Sequence, residues 1–173
     1  DEDSDRFLNL VLDSGINFID TAPDYGASEE RIGRAIGSRR SEYYLASKCG
    51  CDYIQHDDHI EVIHTWTRDV LQRNIETSLA RLQTDYIDLL LLHWPSREVP
   101  LAETLPVLDA LIAEGKVRFG GVSNFTTAQL EETAGILNAP IAANQVSCTP
   151  SSTNPGWCPS CRHATSRSRP MRP

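Results

Sequence analysis

The stretch Gly15-Ile-Asn-Phe-Ile-Asp-Thr-Ala-Pro-Asp-Tyr-Gly-Ala-Ser-Glu29 changes character twice. Ile16, Phe18 and Ile19 form an apolar run that reads as a buried strand, Ile16–Asp20, ending on a carboxylate. A short loop then presents the phenol of Tyr25, and Ala27-Ser28 opens a helix. An acid and a phenol at the carboxyl end of a buried strand stand where α/β folds hold their ligands. The plainer alternative is a core strand whose Asp20 caps the next turn and whose Tyr25 packs on the surface. Other strand ends decide between the two.

Outward from this stretch the chain alternates helix and strand. Arg6 to Asp13 is a short helix stopped by Gly15, and Ser28 to Ile36 a second one stopped by Gly37. Tyr43–Lys48 reads as the next strand. Val70, Leu71, Ile75, Leu79 and Leu82 recur at helical spacing, which predicts a helix over Arg68 to Leu82. Tyr86–His93 is an apolar run of buried-strand type. Leu105, Leu108, Leu111 and Ile112 mark a helix closed by Gly115. Val117–Ser123 is a strand, Thr126 to about Leu137 a helix, and Ile141–Val146 a last strand.

Strands that are apolar along most of their length, alternating with helices, imply a parallel sheet covered by helices. No Gly-x-Gly-x-x-Gly follows any strand, which counts against a dinucleotide-binding doubly wound fold. The expected class is α/β, a partial (β/α)8 TIM barrel with about five of its eight strands. The barrel also explains why polar residues recur at carboxyl-terminal strand ends.

Charge and composition narrow the partners. The net charge of -8 argues against nucleic acid and anionic membranes, and no apolar run is long enough to cross a bilayer. The start Asp1-Glu-Asp-Ser-Asp5 is unlike the basic opening of a signal peptide. Five cysteines, an odd number, fit a reducing cytoplasm better than a closed disulfide framework. Every Asp and Glu lies at or before Glu132, whereas the chain beyond Ser147 is rich in Ser, Pro, Cys and Arg. This break divides residues 1–146, a partial barrel, from residues 147–173, a tail expected to be disordered.

Four further strand ends carry chemistry. Lys48 ends the second strand, either as a lysine reaching to the surface or as a mouth lysine acting as nucleophile or neighbouring charge. His93 ends a run of leucines, where a satisfied core histidine is the plainer reading. Ser123-Asn124 follows Val122 and could simply cap the next helix. Asn144-Gln145 lies in the last strand, where side-chain amides need partners or a ligand. A separate structural excuse would be needed for each. Cys49 and Cys51 flank Gly50 and read as ordinary loop cysteines, with a reactive thiol as the alternative. Cys158-Pro-Ser-Cys161 with His163 has metal-like spacing but supplies only three ligands. Trp94 lines a substrate pocket or packs on Pro95.

Taken together, Asp20-Thr-Ala-Pro-Asp-Tyr25-Gly-Ala-Ser-Glu29, Leu45-Ala-Ser-Lys48, Leu92-His93-Trp-Pro95, Gly121-Val-Ser-Asn-Phe125 and Asn144-Gln145 resemble the aldo-keto reductase superfamily in order and spacing. The resemblance covers about Phe7 to Val146. It implies reduction of aldehydes or ketones, small carbonyl substrates, with NADP(H) bound without a Rossmann domain. It makes Tyr25 the general acid, Lys48 the cation that stabilises the phenolate, and Asp20 the partner that holds Lys48. His93 would orient the substrate oxygen. Ser123, Asn124 and Gln145 would hold the nicotinamide carboxamide. This chemistry requires no metal.

The sequence departs from the family pattern at both ends. The first barrel strand and leading hairpin are not found, and the continuation from Ser147 matches none of the closing strands or adenosine-phosphate ligands. The expectation is a truncated member whose non-homologous tail arises from out-of-frame translation. Two alternatives stand beside a working reductase: a catalytically inactive reductase-like binding or regulatory fragment, and a Schiff-base aldolase using Lys48.

Overall fold

The computed structural model describes residues 2–64, 66–96 and 99–147, with the side chains of 52–55 and 60–64 left aside. The tail from 148 onward, including Cys148, Cys158, Cys161 and His163, lies outside the described residues. Five strands form one parallel sheet: β1 (Phe18–Asp20), β2 (Tyr44–Cys49), β5 (Ile87–Leu92), β6 (Val117–Ser123) and β7 (Asn144–Gln145), in the order β1-β2-β5-β6-β7. Two more strands, β3 (Cys51–Gln55) and β4 (Ile60–His64), make a separate antiparallel hairpin between β2 and the next helix. The parallel strands and their helices make up half of a barrel.

Helices α1 (Glu2–Asp13), α2 (Ser28–Ile36), α3 (Arg68–Leu82), α4 (Leu101–Ala113) and α5 (Thr127–Ala134) fill the connections. The predicted bounds of α2 and α3 hold to the residue. Thr67 caps α3 by accepting from the Val70 amide, and Gln83 ends it in a left-handed conformation. Thr126, rather than Ser123 or Asn124, caps α5, in a reciprocal box with Gln129. Gly37 is not a helical stop of the left-handed kind. Its φ of -57° keeps it right-handed, and the chain runs on as a 3-10 segment, Gly37–Glu42.

The register sorts side chains between the two faces of the sheet. Asp20 pairs with Ala46, Lys48 with Leu91, Leu91 with Gly121, and Ser123 with Gln145. Because side chains alternate with period two, Asp20, Lys48, Ser123 and Gln145 share one face. Ile19, Leu45, Leu90, Leu92 and Val122 point the other way. They join Ile32, Ile36, Leu71, Ile75, Leu105 and Leu108 in a continuous core under the helices. A Cβ at Gly120 would lie 2.6 Å from a Leu108 methyl carbon, so its lack of a side chain lets α4 sit close to β6.

At the amino-terminal end of the strands, buried Asp88 is a hub. It accepts from Arg40 at 2.5 Å, Arg118 at 2.9 Å and the Leu45 amide at 2.9 Å. The two guanidiniums also lie over the Tyr86 ring at 4.0 and 4.1 Å. A buried carboxylate is tolerable only when its oxygens are met in this way. The charge network thus pins β2, β5 and β6 at the end opposite the candidate site.

Candidate active site

The loop after β1 is built to hold Tyr25 over the sheet. Thr21 continues the strand pairing by donating its amide to Ala46, and the Tyr25 amide closes a turn onto the Ala22 carbonyl at 3.1 Å. Gly26 then takes φ +58°, a conformation open to glycine without steric cost. The Thr21 hydroxyl donates to Ser28 at 2.9 Å, tying the loop to the start of α2.

Lys48 is 1% exposed. Its ammonium donates to Asp20 Oδ2 and to the Thr21 carbonyl, each at 2.9 Å. It also lies 4.6 Å from the centre of the Tyr25 ring. The ring, rather than the hydroxyl, faces the charge, a cation–π arrangement. Such a buried position excludes the reading of Lys48 as a lysine reaching to the surface. Tyr25 itself is 48% exposed, so one side meets the ammonium and the other meets solvent.

His93 follows β5, with its amide donating to the Cys49 carbonyl at 3.0 Å. Its ring stands edge-on to Tyr25 with centroids 6.1 Å apart. Nδ1 lies 3.3 Å from Asp24 Oδ2 and 3.4 Å from Cys51 Sγ. His93 is therefore a buried histidine with polar neighbours at the same strand ends as Lys48. Trp94 flanks it, partly exposed, with ring centroids 6.2 Å apart.

Across the sheet, Asn124 adopts φ +64°, which the short polar side chain tolerates better than most. Its amide nitrogen donates to the His93 carbonyl at 3.0 Å and to Ser123 Oγ at 3.1 Å. Ser123 Oγ donates to the Gln145 carbonyl at 2.9 Å. Gln145 is exposed, and its backbone, not its amide group, makes these contacts. The neighbouring Asn144 carboxamide turns to the other face and bonds both the amide and the carbonyl of Phe125, a positioning role.

The structure thus brings Asp20, Tyr25, Lys48 and His93 to one end of the sheet, with Ser123, Asn124 and Gln145 beside them along the same strand ends. Two further neighbours adjoin them: Asp24, which carried no expected role, and Cys51, expected to be an ordinary loop cysteine. Asp24 precedes Tyr25 in the same loop, and Cys51 opens β3. Cys49 and Cys51 are strand residues, not loop cysteines, and both are buried free thiols. Burial pushes the Cys51 thiol up to about 12, with the Asp24 charge adding to the effect, and pushes Cys49 further in the same direction. Neither is a low-pKa reactive thiol.

The profile of the Aldo/keto reductase family matches residues 1–164, a span that runs past Val146. Aldo-keto reductase YhdN of Bacillus subtilis is 41% identical over 128 residues, 72% of this chain and 38% of that protein. A glycerol dehydrogenase from Gluconobacter oxydans superposes with a TM-score of 0.76 at 35% identity, covering 82% of this chain and 44% of that one. An aldo/keto reductase from Klebsiella pneumoniae, in complex with NADP and acetate, superposes with a TM-score of 0.62 at 37% identity over 75% of this chain and 42% of that one. The chain therefore spans half or less of the length of these relatives. With a match across almost all of its residues, a half-barrel that superposes on solved reductases and the strand-end residues described above, the chain belongs to the aldo/keto reductase family.

Proposed function

We propose that the chain carries the carbonyl-reducing half of an NADP(H)-dependent oxidoreductase acting on aldehydes or ketones. The observation that carries this reading is Lys48. It is a buried ammonium held by Asp20 on one side and covered by the Tyr25 ring on the other. Bound NADPH would supply the hydride. Tyr25 would give its hydroxyl proton to the carbonyl oxygen, leaving an alcohol, and would recover a proton through its solvent-facing side. The Lys48 charge stabilises the phenolate left behind, and Asp20 with the Thr21 carbonyl keeps that charge in place. His93 orients the substrate oxygen.

The residues present fit a nicotinamide carboxamide, which needs both donors and acceptors. Ser123 Oγ, the Asn124 side chain and the exposed Gln145 amide offer both kinds along adjoining strand ends. The division at residue 146 belongs to this proposal too. So does a cytoplasmic setting, which suits the free thiols of Cys49 and Cys51. No described helix is long and apolar enough to cross a membrane.

The test is NADPH binding by fluorescence, followed by reduction of a nitrobenzaldehyde by the full chain. Turnover that disappears in Tyr25→Phe supports the enzyme reading. Binding without turnover supports the alternative of a reductase-like binding fragment. No binding at millimolar cofactor overturns both. A borohydride-trapped substrate adduct on Lys48 would favour the aldolase instead.

A further inference from the structure

Asp24, Cys51 and His93 reach one point from three separate segments: the loop after β1, the first residue of β3 and the residue after β5. Cys51 Sγ lies 3.4 Å from His93 Nδ1, His93 Nδ1 lies 3.3 Å from Asp24 Oδ2, and Cys51 Sγ lies 4.0 Å from Asp24 Oδ2. A tetrahedral ion bound to sulfur, nitrogen and oxygen at ordinary zinc distances holds those donors about 3.3–3.6 Å apart. Two of the three separations fall in that range, and the third needs only a small closure. Among the described residues this is the one trio of His, Cys and carboxylate groups so arranged.

Burial supplies a second observation. Cys51 and His93 are 2% and 7% exposed, and the other Asp24 oxygen, Oδ1, is buried with no hydrogen-bond partner. A buried carboxylate oxygen in that state is costly unless something electropositive meets it. We propose that Asp24, Cys51 and His93 form a binding site for a zinc-like divalent ion at the edge of the candidate active site. Thiolate and imidazole donors select zinc or cobalt over magnesium or calcium. On binding, the Cys51 thiol gives its proton to solvent and becomes the thiolate ligand. His93 ligates through Nδ1 as neutral imidazole and Asp24 as carboxylate, with no change of oxidation state. Three protein ligands leave the fourth position for water or another oxygen.

Such a site is not part of carbonyl reduction. On the reductase reading, occupancy would hold the same imidazole that orients the substrate and would inhibit turnover. Binding itself is independent of that reading and is tested without activity. Cobalt(II) titrated into the reduced full chain should give a thiolate-to-cobalt absorption in the near ultraviolet at one equivalent, and zinc should abolish it. Cys51→Ser should remove the band. Asp24→Asn, which keeps the side-chain shape but removes the ligand's charge, should weaken binding about tenfold or more with an unchanged far-ultraviolet circular dichroism spectrum. The Cys158→Ser/Cys161→Ser variant should keep the band. Absence of a band at millimolar cobalt, its survival in Cys51→Ser, or its loss in Cys158→Ser/Cys161→Ser would each overturn the proposal.

Discussion

The Lys48 ammonium is almost wholly buried, yet Asp20, the carboxylate 2.9 Å from it, keeps 31% of its side chain exposed. The pair is thus asymmetric, with the cation depending on a partner that water can reach. Asp20→Asn should leave a buried charge with no anionic partner, met by the Thr21 carbonyl and the Tyr25 ring. We expect a loss of about 1–3 kcal/mol in urea unfolding, less than for a fully buried pair because solvent screens Asp20. The double variant Asp20→Asn/Lys48→Met, which removes the stranded charge, should recover part of that loss. Equal stability of the single and double variants would show that the pair carries little.

Asn124 ties β6 to the residue after β5 through the His93 carbonyl while sitting at φ +64°. Asn124→Gly keeps the backbone conformation open and deletes only the side chain. NADPH affinity should fall about tenfold, the equivalent of ~1.4 kcal/mol, with little change in thermal midpoint. Asn124→Val should cost stability as well, because a β-branched residue is strained at positive φ. Fluorescence titration and thermal scans of both variants separate the two effects.

Glu29 is buried at the start of α2. It accepts from Ser47 at 2.7 Å, and its Oε2 lies 3.7 Å from the Arg81 guanidinium. Burial raises its carboxyl above the ordinary glutamate value, against the pull of Ser47, Ser78 and Arg81. A raised folded-state value means the native state holds the proton more tightly than the unfolded chain. That contribution is present below the unfolded glutamate value and is lost as pH rises through the folded one. Relative to Glu29→Gln, the native protein should therefore lose stability over the pH range that begins at the ordinary glutamate value of about 4. Denaturant midpoints of both proteins across that range give the difference, and parallel curves would contradict it.

Gly33 is where α2 meets the end of α3. A Cβ there would lie 2.8 Å from the Leu82 carbonyl carbon and closer still to the Arg81 carbonyl oxygen. These are backbone atoms and cannot swing aside. Gly33→Ala should destabilise by about 1–3 kcal/mol, although alanine is the better helix former. Gly135→Ala, whose Cβ would meet only Glu132 O at 3.4 Å, is the control. A stabilised Gly33→Ala would mean that the two helices can separate at little cost.

The parallel strands were legible because burial on both faces leaves an apolar run. Ile87–Leu92 and Tyr44–Cys49 carry that mark plainly. The hairpin Cys51–Gln55 and Ile60–His64 was not legible, since Asp52, Gln55, Glu61 and His64 interrupt its apolar residues and His56-Asp-Asp-His59 reads as loop. The last strand was expected over Ile141–Val146 but is regular only at Asn144–Gln145, with Ala142 and Ala143 adding single backbone bonds to Gly120 and Val122. Helix α5 stops at Ala134 rather than near Leu137. Helix α1 starts earlier than its apolar residues indicate, at Glu2, with Glu2, Asp3 and Asp5 in the first turn, where acids favour the helix dipole. Polar residues at strand ends revealed most of the candidate site. The meeting of Asp24 and Cys51 with His93 was not legible, because it depends on how the hairpin is placed, and sequence spacing does not encode that.

The strand order β1-β2-β5-β6-β7 makes each parallel neighbour also the next parallel strand along the chain. Among the described parallel strands, none waits for a partner made much later. On a ribosome, each newly emerged strand would find its edge already exposed, so pairing could advance in step with synthesis. Asp20 would be in place when Lys48 arrives, and β2 when His93 does. The cluster of Asp20, Tyr25, Lys48 and His93 would then assemble in the order in which it is written, with each side chain meeting neighbours already in place.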